Sequence, residues 1–154
     1  MVSFLLPLFA LIVVPLVVEK DYSLRFLWTN IIGGLFIGLG LTVLVLTIRM
    51  FIRIGNGTLA PWDPTRKLVT IGLYSHVRNP MILGALFVLC GESILFTSTS
   101  IGIWAVLFFI INTLYFIFSE EPGLEKRLGT EYVEYKKHVP RWIPRIKPWY
   151  PGEK

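Results

Sequence analysis

Two acidic side chains stand side by side in Ser119-Glu120-Glu121-Pro122, directly after an apolar run of helical length. Carboxylates near a helix C-terminus oppose the macrodipole by roughly 0.3 to 1 kcal/mol, so a cationic partner is expected to compensate them. Upstream, Asn112, Tyr115 and Ser119 fall at i, i+3 and i+7, and Glu120 lies beside them at about 100° per residue. This polar stripe faces either a cavity or a seam of interhelical hydrogen bonds. A second cluster, Lys67 to Pro80, leads Gly72, Tyr74, Arg78 and Asn79 into another apolar run. Pro80 suits the first turn of a helix and Asn79 its N-cap. The free N–H groups of such a helix start can seat a carboxylate or other anion; the alternative is a capped, positively flanked membrane helix.

A third cluster runs from Leu128 to Pro144, where Tyr132, Tyr135 and Val139 share a helix face suited to docking on other helices or on a membrane surface. Glu92 is the one acid well inside an apolar run, and pairing with Lys20 or Arg25, or protonation, is expected there ahead of catalysis. Neither His76 nor His138 has a partner at metal-ligand spacing, and the single cysteine, Cys90, has no disulfide partner, so redox and zinc chemistry find no support.

These residues need elements to hold them, and composition says which. Of 154 residues 54% are hydrophobic and only 16% charged, with mean hydropathy +0.65, far more apolar than a soluble domain of this size. Four apolar stretches, Val2 to Val18, Phe26 to Ile48, Pro80 to Phe96 and Ile101 to Phe118, fit the roughly 17 to 25 residues that a crossing helix needs. Lipid offers the backbone no hydrogen bonds and none of the runs alternates as barrel strands do, so the expected fold is all-α, an integral membrane protein of four transmembrane helices plus a cytosolic C-terminal helix and an extended tail. The stretch Met1 to Val18 lacks a basic leader and a small-residue cleavage site and reads as a retained span. Net charge is +5, but the Lys and Arg avoid the apolar runs and gather in Arg49 to Arg78 and Lys126 to Lys154, a membrane pattern that argues against nucleic acid. The positive-inside rule then places both termini and the chemistry-bearing clusters in the cytosol.

In the second span Gly34-x-x-x-Gly38, among Gly33, Gly34, Gly38 and Gly40, has the spacing that lets two helix backbones approach closely. The loop Arg53 to Thr70, with Gly55, Gly57, Pro61 and Pro64, divides a single membrane domain into an anchor hairpin, 1–52, and a helical hairpin with cytosolic tail, 53–154. After Phe118 come a mixed-charge run, Glu120 to Lys137, and a tail with Pro140, Pro144, Pro148 and Pro151, expected as a helix and then an extended strap.

Taken together, the clusters resemble the membrane methyltransferases of the isoprenylcysteine carboxyl methyltransferase and phosphatidylethanolamine N-methyltransferase type. The resemblance covers about Arg66 to Lys147 and rests on Leu68, Gly72 and Tyr74, on Arg78-Asn79-Pro80-Met81-Ile82-Leu83-Gly84, on Glu120-Glu121, on Gly129, Tyr132 and Tyr135, and on Val139-Pro140-Arg141. It implies S-adenosyl-L-methionine as cofactor, with Arg66, Lys67, Leu68, Val69, Gly72, Tyr74, Asn79, Pro80, Met81 and Ile82 lining its pocket and Glu120 holding its ammonium or ribose. The bilayer and a lipophilic or small-molecule methyl acceptor are the implied partners. Because the sulfonium already activates the methyl, alignment and exclusion of water supply most of the effect. Where the acceptor must lose a proton, Glu121 is the candidate catalytic base.

Three positions depart from the family pattern: Asn79 stands for His, Ile82 for Tyr, and Phe116 for the Arg that carboxyl-methylating members place one turn before the cofactor Glu. The last removes the hold on a prenylcysteine carboxylate and leaves an amine, thiol or other lipid-soluble nucleophile an equal expectation. Two rival readings remain: a nicotinamide-dependent membrane reductase of the same architecture, and a non-enzymatic membrane subunit or transporter with the polar stripe and Glu92 as its path.

Overall fold

A computed structural model of the chain describes residues 9–20, 22–24, 26–54 and 68–152. Among them every regular element is helical. We number them α1, Phe9–Val18; α2, Leu27–Ile54; α3, Pro80–Leu95; α4, Thr99–Tyr115; α5, Glu121–Leu128; and α6, Thr130–His138. A single 3-10 turn, Gly72–Ser75, precedes α3.

Two prolines shape these helices. Pro15 and Pro122 sit in the first turns of regular α-helix, and each is preceded by a wide π-helical turn, Phe9–Val13 and Phe116–Glu120 respectively. A proline has no N–H to donate four residues back and its ring crowds that carbonyl, so the turn before it opens rather than closes. The helix nevertheless continues, and Thr99–Leu128 forms one rod of 30 residues.

Among the described residues, that rod and α2 are the two helices long and apolar enough to cross a membrane. With 16 residues, α3 spans about 24 Å against a hydrocarbon core of roughly 30 Å. α1 is shorter still. Many large apolar side chains on both long helices are exposed, among them Trp28, Leu35, Ile103, Val106 and Phe118, a surface that water does not tolerate and lipid does.

The chain packs as two compact units, Met1–Leu44 with Ile82–Asn112 and Val45–Met81 with Thr113–Lys154. Each draws chain from both sides of residue 53.

In the first unit α2 and α3 run antiparallel with their backbones in close approach. A Cβ on Gly40 would lie 2.6 Å from the Gly84 carbonyl oxygen, and one on Gly33 would lie 2.8 Å from that of Gly91. Gly33 and Gly40 are seven residues apart, two turns along one face, and so are their mates. This corrects the sequence expectation. Small residues do pack the second helix, but Gly34 and Gly38, rotated onto another face, have nothing within 4 Å. Leu89 and Ile101 are fully buried in the same unit. At its loops Tyr22 Oη donates to the Pro15 carbonyl at 2.7 Å, Trp104 Nε1 donates to the Ala10 carbonyl at 2.9 Å, and Ser98 Oγ donates to the Glu19 carboxylate.

The second unit has its own core, Tyr132, Tyr135, Val139 and Trp149, with Leu68, Leu124 and Leu128 packed against it. Gly129, at φ +58, turns the chain between α5 and α6, a conformation that glycine adopts without strain. The proline-rich tail doubles back as an extended strap: Arg78 N–H donates to the Pro140 carbonyl, Arg145 N–H to that of His76 and Trp149 N–H to that of Ser75.

Candidate functional site

The second unit brings the motif-bearing segments together around one carboxylate. Glu121, in the first turn of α5, is only 3% exposed, and its oxygens accept from three cations. Arg141 spans both oxygens, Nε to Oε1 at 2.6 Å and Nη2 to Oε2 at 3.0 Å, the bidentate geometry that gives an arginine its strongest grip. Arg78 Nη1 reaches Oε1 at 3.0 Å, and Lys136 Nζ lies 3.3 Å from Oε2 and 2.7 Å from Glu125 Oε1. The knot therefore ties the segment before α3, the start of α5, α6 and the strap. The hydrogen bond that it donates to Glu121 holds the Arg141 guanidinium above its usual range.

The two adjacent acids divide their duties. About 100° of helical rotation separates them. Glu121 points into the knot, while Glu120 stays partly exposed and accepts from Tyr115 Oη at 3.2 Å. The base role expected of Glu121 sits poorly with this geometry, because taking up a proton would break charge-assisted bonds that favour the ionised form.

Around the knot the aromatic side chains are pinned. Tyr135 Oη donates to the Tyr74 carbonyl at 2.7 Å, and burial pushes both phenols well above their usual range. Tyr132 is pushed up by burial and then by the Glu121 charge, with Arg78 and Lys136 pulling back. Trp149 packs on the Tyr135 ring and stacks on His138 at 5.3 Å and 9°. Phe116, in the wide turn, meets the Trp142 ring edge-on at 6.0 Å.

Of the residues expected to line a cofactor pocket, Arg66 and Lys67 lie outside the described residues. Leu68 and Val69 are partly or fully buried, Leu68 against the tyrosine core. Gly72 has φ +60 and so little room that a Cβ would run into the Met50 side chain. Tyr74 is tied through its carbonyl, Pro80 is buried at the start of α3, and Asn79, Met81 and Ile82 are partly buried around it. Ile82 is grouped with the first unit.

Three participants escaped the sequence reading: Arg78, Lys136 and Arg141. Arg78 and Arg141 were both inside the motifs quoted, and the signal that could have found them was the unbalanced charge of two acids beside a helix end. One feature of the knot is unfinished. Arg78 Nε is buried and has no hydrogen-bond partner among the described residues, a cationic donor that an anion could satisfy.

A methionine-type cofactor carries a carboxylate, an ammonium and a sulfonium, and the residues present suit all three. Arg78 Nε and the first N–H groups of α3, which a helix leaves without an intrahelical acceptor, are donors suited to the carboxylate. Glu120 is an acceptor for a cation.

The chain is 34% identical over 87 residues to human protein-S-isoprenylcysteine O-methyltransferase and 33% identical over 87 residues to the mouse protein of that name. The match covers 54% of this chain and 29% of each relative, so the chain spans under a third of their length. No solved structure matches it. Residues 28–131 match the phospholipid methyltransferase family across both long helices and take in Arg78 and Glu121 of the knot, and the chain belongs to that family.

Proposed function

We propose that the chain is a membrane-embedded methyltransferase that takes its methyl group from S-adenosylmethionine and delivers it to a lipophilic acceptor. The observation that carries this reading is the Glu121 knot, which gathers the start of α3, α5 and the strap into one unit and leaves Glu120 outside it. In this reading the four apolar stretches Val2 to Val18, Phe26 to Ile48, Pro80 to Phe96 and Ile101 to Phe118 cross the membrane, and the basic segments and both termini face the cytosol.

When bound, the cofactor supplies a methyl already activated by its sulfonium. The chain's own residues bind, orient and exclude water. Arg78 Nε and the first N–H groups of α3, around Asn79 to Ile82, hold a carboxylate. Glu120 attracts the cationic end, with Tyr115 Oη fixing its orientation. Leu68, Val69, Gly72 and Tyr74 form the neighbouring wall. Glu121 is a positioning residue that sets Arg78 and Arg141, not a base.

The acceptor follows from Phe116. Its ring packs against Trp142 and no guanidinium stands in its place, so nothing there recognises a carboxylate. An amine, thiol or other neutral lipid-soluble nucleophile fits this apolar wall better than a prenylcysteine carboxylate, although the names of the relatives favour the latter.

The test is calorimetric titration of the detergent-purified chain with S-adenosylmethionine and S-adenosylhomocysteine, beside Glu120→Gln. Binding by the wild type that is lost in the variant supports the reading. A folded wild type that binds neither, but binds a reduced nicotinamide nucleotide, overturns it in favour of the reductase.

A further inference from the structure

The strap carries two aliphatic side chains that nothing among the described residues covers. Ile143 is 79% exposed and Ile146 is 96% exposed. Slack does not explain them. The strap is pinned by backbone bonds at Pro140, Arg145 and Trp149, and Pro144 and Pro148 fix φ between those points. Ile146 therefore sits on a short arch between two anchors, flanked by Arg145 and the exposed Lys147, with half-exposed Tyr150 beyond.

Its place along the chain is equally defined. Trp142 meets Phe116, and Phe116 continues the apolar surface of a helix long enough to cross a membrane, two residues before Phe118, itself 75% exposed. The strap thus joins the rod at its last apolar turns, the level at which aromatic side chains collect at a membrane–water interface. Exposed isoleucines alternating with cations at that level match a surface that is apolar beneath and anionic above.

We propose that the strap Trp142 to Tyr150 is a membrane-surface anchor that lays Ile143 and Ile146 into the bilayer interface and sets Arg145 and Lys147 against anionic lipid headgroups. The proposal rests on the membrane reading of α2 and α4 and is independent of the methyl-transfer reading. Each basic side chain near an anionic surface strengthens association by roughly five-fold, so the two together are worth about thirty-fold, a factor that salt erodes.

The test uses the full chain in lipid nanodiscs, with Cys90→Ser as background and a nitroxide on Ile146→Cys or, in a second sample, Ile143→Cys. A label on Glu134→Cys, exposed on α6, is the aqueous control. Power saturation with oxygen and with a nickel chelate reads whether each label lies in lipid or water. In discs containing phosphatidylglycerol, both strap labels are expected to favour oxygen strongly over the control, and the preference is expected to weaken in pure phosphatidylcholine and with Lys147→Ser. Strap labels as open to nickel as the control, in a chain that has entered the discs, overturn the anchor alone. Dipolar broadening between labels on two copies, whatever the lipid, overturns it in favour of self-association. A chain that does not enter the discs overturns the membrane reading and the anchor with it.

Discussion

Replacing Glu121 by Gln is expected to unfold the second unit at a much lower temperature than replacing its neighbour. Glu121 is almost fully buried, and its charge is what makes Arg78, with a side chain 10% exposed, tolerable inside the unit. Removing one partner of a buried ion pair typically costs about 3–5 kcal/mol, because the other charge is left uncompensated. Arg141 and Lys136 have side chains 24% and 39% exposed, so water recovers part of their loss and the lower end of that range applies. Gln retains one acceptor oxygen, but its amide hydrogens face guanidinium donors, so the bidentate contact with Arg141 cannot re-form. About 3 kcal/mol corresponds to a fall of roughly 10 °C in Tm for a chain of this size. Glu120→Gln only weakens one exposed hydrogen bond, since the amide oxygen can still accept from Tyr115 Oη, a loss of about 1 kcal/mol and a few degrees at most. The assay is tryptophan-fluorescence melting of the two variants and wild type in one detergent. A Glu121→Gln shift no larger than that of Glu120→Gln would refute the knot as the unit's keystone.

The glycine register gives a second contrast: Gly40→Ala is expected to destabilise by about 1–3 kcal/mol through overpacking, while Gly34→Ala is neutral or gains up to about 1 kcal/mol in helix propensity, both read from the same melts. The buried phenols set an alkaline limit. Tyr74, Tyr132 and Tyr135 all have pKa values raised above the model-compound 10.0, so the unfolded chain loses their protons first, and stability present below pH 10 falls as pH rises beyond it. Melting from pH 8 to 11 should show that slope, and Tyr135→Phe should flatten it while costing the bond to Tyr74, about 1 kcal/mol. Trp149→Ala removes a buried ring that packs on Tyr135 and His138, about 3 kcal/mol or more. Limited trypsin digestion should then cut rapidly after Arg145, a site that wild type protects by pinning the strap.

Much of this was legible before any coordinates. The all-helical character followed from long apolar runs, and the motif segments from Leu68 to Arg141 were marked as belonging together. The strap was foreseen from its prolines, but its place was not, because its bonds to Ser75, His76 and Arg78 join residues more than sixty positions apart. The duties of Glu120 and Glu121 could not be divided either, since adjacency says only that they differ by a fixed rotation and not which one faces inward. The glycine misassignment has a similar source. A spacing of four is the familiar signature, yet the packing face is chosen by the partner helix, and only Gly33 and Gly40 find glycines at the matching interval, Gly84 and Gly91.

The wide turn Phe116–Glu120 has a bearing on how this chain can change over time. A π turn holds one more residue than the regular turn it replaces, so it sets the phase of everything beyond it. Removing a single residue from that stretch would twist α5 by roughly a quarter turn and swing Glu121 away from Arg78 and Arg141, while leaving the apolar character of the rod intact. The apolar stretch can therefore drift freely in side-chain identity, but its length is locked to the frame of the acids that follow.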